Sequence, residues 1–101
     1  MSTIDQVEAQ MKARATSFAG LNAVVKFDFG SMGAIFVNGK TMPPSISQQG
    51  TDPDTTLAIS LDDFIKLSEG KLAPTMAFMT GKLKVSGNMG VAMKLSSMLE
   101  D

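Results

Sequence analysis

The 101-residue chain has no cysteine, no histidine, no tryptophan and no tyrosine. Without cysteine there is neither a disulfide framework nor a thiolate nucleophile, and a cytoplasmic or other reducing location is the compatible one. Without histidine as well, the Ser-His-Asp and Cys-His constellations and the usual zinc sites fail at their first residue. Long hydrophobic runs are missing too: stretches such as AIFV stop at four residues, where a membrane span needs about 20. The first residues, MSTIDQVEAQ, lack the basic start and apolar run of a signal peptide, and the ending SSMLED carries no peroxisomal, prenyl or retention address. The expectation is a cytoplasmic protein that does not span a membrane.

Nor is there an excess of positive charge. The formal net charge is −1, and nucleic-acid binding, which phosphate contacts dominate, requires a surplus of Lys and Arg, so no nucleic-acid partner is expected. The charge is nevertheless uneven. Residues 71–99 contain Lys71, Lys82, Lys84 and Lys94 and no acid, whereas residues 1–70 hold eight acids against five bases. The basic end reads first as a solvated face, with transient contact to anionic lipid headgroups as the alternative.

Candidate chemistry is thin. Asp52 and Asp54 flank Pro53 with no further EF-hand ligands, so no metal site is expected. GSMG lacks the lysine and the spacing of a phosphate loop. Asp62 and Asp63 fit the first turn of a helix, where the helix dipole favours carboxylates, and adjacent helical residues point about 100° apart, which suits paired acid-base work poorly. No catalytic residue and no cofactor is named, and the chain is read as a non-enzyme.

The hydrophobic fraction of 44% with 19% charged residues supports one packed core, and the length allows one domain, residues 1–101. Thr3-Ile4-Asp5-Gln6 has capping-box spacing, and Ile4, Val7, Met11, Ala15 and Phe18 recur at helical intervals, predicting a helix up to Gly20. From Ala23 the period becomes two. Val25, Phe27 and Phe29 alternate with Val24, Lys26 and Asp28; GSMG turns into a second strand, AIFV, and Asn38-Gly39 signals a hairpin turn. Both faces of AIFV are apolar, which leaves its inward side open. Pro43-Pro44 predicts a short edge strand over residues 45–48. A strand over residues 56–60 leads through Ser60 into a helix closed by Gly70; Pro74 opens a short helix, TMAFM.

Residues 81–95, GKLKVSGNMGVAMKL, then pass from alternation to an almost wholly apolar helix. Leu83 and Val85 face one way and Lys82, Lys84 and Ser86 the other. Asn88 caps a helix whose polar side is only the line Gly90, Lys94, Ser97 and Asp101. Its apolar arc is wider than one helix needs to cover a sheet, so it must contact protein on one side and protein, ligand or partner on another. The order α-β-β-β-β-α-α-β-α defines an α+β domain.

Methionine is abundant, nine in all, five of them Met76, Met79, Met89, Met93 and Met98. Flexible thioethers suit adaptable apolar surfaces, although they also fill gaps in ordinary cores. If TMAFM and the last helix face each other over the sheet, they enclose an apolar cavity fit for lipid. The candidate lining is Phe27, Phe36, Phe64, Met76, Met79, Leu83, Met89 and Met93. Burying about ten methylenes at roughly 0.8 kcal/mol each supports affinities near micromolar after association costs, a range that permits release. The alternative is an accessory module whose apolar helix docks a biosynthetic enzyme, with weak homodimerisation through the second strand as a variant.

The stretch GKLAPTMAFMTGKLKVSGNMGVAMKL resembles the signature half of the sterol carrier protein 2 family. The matching positions are Gly70, Lys71, Leu72, Pro74, Ala77, Phe78, Gly81, Lys82, Leu83, Lys84, Val85, Gly87, Asn88, Ala92, Lys94 and Leu95. The resemblance implies a five-stranded, mainly antiparallel sheet with helices over one face enclosing a hydrophobic tunnel. It also implies binding and transfer of fatty acids, fatty acyl-CoA, sterols or isoprenoid-type lipids without catalysis. Set against family members fused to fatty-acid β-oxidation enzymes, the expectation is a chain that stands alone, without a C-terminal peroxisomal tripeptide and with a short first hairpin loop.

Overall fold

The computed structural model describes residues 4–99, the side chains of residues 96 and 99 apart. The Thr3 capping box and Asp101 lie outside the described residues. Eight side chains from five strands form the centre. Val25 and Phe27 of β1 (Val24–Asp28), Ile35 and Val37 of β2 (Ala34–Asn38), Ile46 of β3 (Ser45–Ser47) and Leu57 and Ile59 of β4 (Thr55–Ile59) are buried, together with Leu83 of the last strand, β5 (Leu83–Gly87). The alternation selects Ile35 and Val37 as the inward side of β2 and turns Ala34 and Phe36 to the other face. That settles what two apolar faces left open.

The strands form one sheet in the order β3-β2-β1-β4-β5. β1 pairs antiparallel with β2, β2 with β3 and β4 with β5, while β1 and β4 run parallel. The parallel pair needs a crossover, supplied by the loop before β4. It passes over the outer face at Phe36, where a β-carbon on Gly50 would stand 2.6 Å from the ring. The Pro-Pro segment yields the expected short edge strand, three residues long.

Helices α1 (Ile4–Ala13), α2 (Leu61–Ser68), α3 (Pro74–Met79) and α4 (Met89–Leu99) complete the architecture. α1 packs along β3 and buries Val7 and Met11. It ends earlier than its periodicity predicts: the chain tightens into a 3-10 turn, Ala15–Phe18. Thr16 and Ser17 favour helical geometry poorly, and the tighter turn brings Phe18 inward, with Leu21 buried behind it. α2 starts as its sequence requires, with the Asp63 amide donating to the Ser60 hydroxyl at 3.1 Å, and stops at Gly70, whose φ is +76°.

Asn38-Gly39 behaves differently from expectation. β2 and β3 are antiparallel, but Asn38 pairs with Ser45, so the connection is a six-residue loop and not a two-residue hairpin turn. Gly39 is absorbed by packing: its amide donates to the Ala23 carbonyl at 2.8 Å, and an added β-carbon would meet Leu21 at 2.8 Å. The Asn38 side chain accepts from the Lys40 amide at 2.9 Å instead.

Candidate functional site

Gly70 releases the chain from α2, with the Lys71 amide returning to the Lys66 carbonyl at 2.8 Å, and Pro74 then pre-sets the first turn of α3. Only Pro74 and Ala77 of this six-residue helix are buried. Its last turn is closed by the Lys82 amide, which donates to the Ala77 carbonyl at 2.9 Å, with Gly81 at a φ of +78°. The chain passes straight into β5, an edge strand that buries Leu83, half-buries Val85 and leaves Lys82, Lys84 and Ser86 exposed.

The far end of β5 is fastened more tightly. The Asn88 amide donates to the Asp54 carbonyl at 2.9 Å, and the Asp54 carboxylate accepts the Val24 amide at 2.8 Å. The Thr55 hydroxyl, fully buried, donates to the Ser86 carbonyl at 2.9 Å. Asn88 then caps α4 as its position predicts, its side-chain oxygen accepting from the Val91 amide at 3.1 Å. The ends of β1, β4 and β5 thus set where α4 begins.

α4 turns Ala92 and Leu95 into the core, with Val91 and Met98 half-buried beside them, and it contacts both β4 and β5 as well as α3. Met89 and Met93, on the same apolar arc, are exposed. Met89 is 47% exposed and Met93, one turn on, is 68% exposed; on α3, Met76 is 55%, Phe78 46% and Met79 77% exposed. The helices α3 and α4, which touch each other, therefore carry five of the seven large apolar side chains exposed among the described residues. Exposed large apolar side chains that adjoin one another are the usual signature of an interaction surface.

The eight residues expected to line a cavity separate into three groups. Phe27, Phe64 and Leu83 are core residues. Phe64 meets Phe27 and Phe29 edge-on, with ring centroids 5.0 and 5.4 Å apart, so these rings fill the space between α2 and the sheet themselves. Phe36 lies on the opposite face, beneath the Lys26 ammonium, 5.8 Å from the ring centroid. It cannot share a volume with the other seven, because strand alternation places it across the sheet from them. Met76 and Met79 on α3 and Met89 and Met93 on α4 are exposed, on two helices that touch each other. Phe78 of α3 is exposed as well; a short helix offering only Pro74 and Ala77 to the core leaves its other apolar positions outside.

Two surface depressions, of about 260 and 480 Å³, lie elsewhere. Phe36 contributes to the first, beside Asn38 and Gln49, and none of the eight lines the second, which runs past Asp28, Ser60, Lys82 and Lys84. No helix among the described residues is long and apolar enough to cross a membrane.

Comparison with known proteins agrees with this architecture. Bovine (Bos taurus) hydroxysteroid dehydrogenase-like protein 2 is 54% identical over 46 residues, 46% of this chain but only 11% of that longer protein. Sterol carrier protein 2 from Yarrowia lipolytica, in its apo form, superposes with a TM-score of 0.69 at 31% identity, over 91% of this chain and 77% of that one. Sterol carrier protein-2 from Aedes aegypti, solved in complex with palmitate, shares the fold with a TM-score of 0.74 at 19% identity, covering 98% of this chain and 96% of its own. A family model described as the SCP-2 sterol transfer family matches residues 4–100, and the chain belongs to that family.

Proposed function

We propose that the protein is a non-enzymatic carrier that binds and transfers lipids with an apolar chain: fatty acid, fatty acyl-CoA, sterol or isoprenoid-type. The observation that carries this reading is the set of five uncovered apolar side chains on α3 and α4, Met76, Phe78, Met79, Met89 and Met93. Membership of the SCP-2 sterol transfer family supports it, as does palmitate bound to a protein of the same fold.

In this reading the acyl chain enters between α3, α4 and β5, and the methionines close over it. α3 is the element that gives way, since only Pro74 and Ala77 hold it in the core. Thioethers adapt to chains of different shape, so the surface selects for apolar length more than for a particular headgroup. Cover of about ten methylenes contributes on the order of 8 kcal/mol before association costs, which leaves a ligand able to depart.

Native mass spectrometry of the purified protein, followed by extraction and addition of palmitate, tests the proposal. The expected result is a one-to-one adduct, co-purified or formed on addition. A protein that is empty as purified and gains no mass from palmitate, palmitoyl-CoA or an isoprenoid is not a carrier; the exposed cluster would then be a docking surface for a protein partner.

A further inference from the structure

We infer that the exposed methionines of α3 and α4 are a modification site: the hydroperoxide of a bound unsaturated acyl chain oxidises them, is itself reduced to the alcohol, and the resulting sulfoxides release the lipid. The inference rests on the carrier reading and adds to it a substrate class, the peroxidised lipid, and a reaction.

The chain has no cysteine, histidine, tryptophan or tyrosine, which leaves thioethers as its readily oxidised side chains. Burial divides them. Met11 is 5% exposed and Met98 half-buried, whereas Met76, Met79, Met89 and Met93 lie between 47% and 77% exposed. Met76 and Met79 are one turn apart on α3, as Met89 and Met93 are on α4, so each pair shares a helix face, and the two helices touch. Met32 and Met42 are exposed too, but Met32 closes the turn between β1 and β2, and Met42 stands in the β2–β3 loop, by the sheet edge opposite β5.

A lipid hydroperoxide forms part-way along an unsaturated chain, not at the headgroup, so a surface that holds the chain also receives the peroxide. The sulfur attacks the terminal peroxide oxygen. An S–O bond forms, the O–O bond breaks, the sulfur gives up two electrons, and the proton on that oxygen passes to the departing alkoxide. The products are methionine sulfoxide and the lipid alcohol, in equal amounts, and no second reductant is needed. Holding the chain against the sulfurs turns a chance encounter into a local reaction. The sulfoxide is polar, so oxidation converts the apolar surface into one that an acyl chain leaves.

Linoleic acid hydroperoxide is the probe, hydrogen peroxide the comparison, and oxygen addition is mapped by peptide mass spectrometry. With a bound chain at an effective concentration of about 1 mM and free probe at about 10 µM, the α3–α4 methionines should oxidise roughly 100-fold faster than Met42. Hydrogen peroxide should oxidise Met79 and Met42 alike, since they are 77% and 81% exposed. Excess palmitate should protect the four methionines from the lipid hydroperoxide and leave Met42 unprotected. Met42→Leu should form the lipid alcohol at the parent rate. The oxidised protein should lose its palmitate adduct and regain it after treatment with methionine sulfoxide reductases. If the lipid hydroperoxide oxidises Met42 as fast as Met79 in protein that takes up palmitate, this inference fails and the carrier reading stands. An oxidised protein that still binds palmitate would overturn it equally. Untreated protein that takes up no palmitate would sink the carrier reading and this inference with it.

Discussion

Gly87 passes so close to Asp54 that a β-carbon on it would stand 2.7 Å from the Asp54 carbonyl oxygen. That same oxygen accepts the Asn88 amide, so the last residue of β5 and the cap of α4 are held by one backbone group of the strand-end opposite. The φ of Gly87, +93°, is one that residues bearing a β-carbon rarely adopt. Conformational strain and the steric conflict therefore act at the same residue. Gly87→Ala is expected to destabilise the fold by roughly 3 kcal/mol, read from urea unfolding followed by circular dichroism. A loss below about 0.5 kcal/mol would mean that the backbone here yields easily.

The Asp54 side chain makes a separable contribution. Its carboxylate accepts the Val24 amide at 2.8 Å and also lies 3.8 Å from the Lys40 ammonium, an exposed contact. Asp54→Ala should cost about 1 kcal/mol, because the start of β1 loses a charge-assisted hydrogen bond that solvent partly screens. Lys40→Ala should remain within about 0.5 kcal/mol of the parent. Equal effects from the two would assign the stabilisation to the ion pair.

Capping of α4 links stability to the exposed methionines. Asn88→Ala removes the oxygen that accepts the Val91 amide and should cost about 1 kcal/mol. Fraying begins at the turn that carries Met89, so lipid uptake is expected to fall more than the global stability does. Asn88→Ser, which retains a capping oxygen, should recover both; failure of that recovery would point to a role for the amide group itself.

The aromatic residues divide by face. Phe64 packs edge-on against Phe27 and Phe29 and is 3% exposed, so Phe64→Ala should cost about 4 kcal/mol. Phe36 is half-buried under Lys26 and Gly50; its replacement by alanine should cost about 1–2 kcal/mol and leave palmitate uptake intact. Lost uptake in a folded Phe36→Ala protein would bring the outer face of the sheet into the site.

Met93 tests the carrier proposal most directly, because its exposure separates binding from folding. Met93→Lys is expected to leave thermal stability within about 0.5 kcal/mol of the parent. It should abolish formation of the palmitate adduct in native mass spectra. Normal uptake by this variant would remove Met93 from the ligand surface.

Local physical rules account for what the sequence by itself determined. Alternation placed Val25, Phe27, Leu57, Ile59 and Leu83 inward. Ser60, Gly70, Pro74 and Asn88 set helix ends through groups within a few residues of themselves, and the GKLAPTMAF and GKLKVSGN motifs carried the family resemblance. Tertiary structure alone decided which apolar face of β2 is buried, because that depends on which side the helices cover. It also made the Asn38-Gly39 connection a loop, since Gly39 answers to Leu21 and Ala23, distant in sequence. The methionines show the same division. Their abundance and helical spacing were legible, but whether Met76, Met79, Met89 and Met93 line an interior or stand uncovered depends on how far Phe27, Phe29 and Phe64 already fill the space beneath the helices. That is a property of packed volume, which no periodicity encodes.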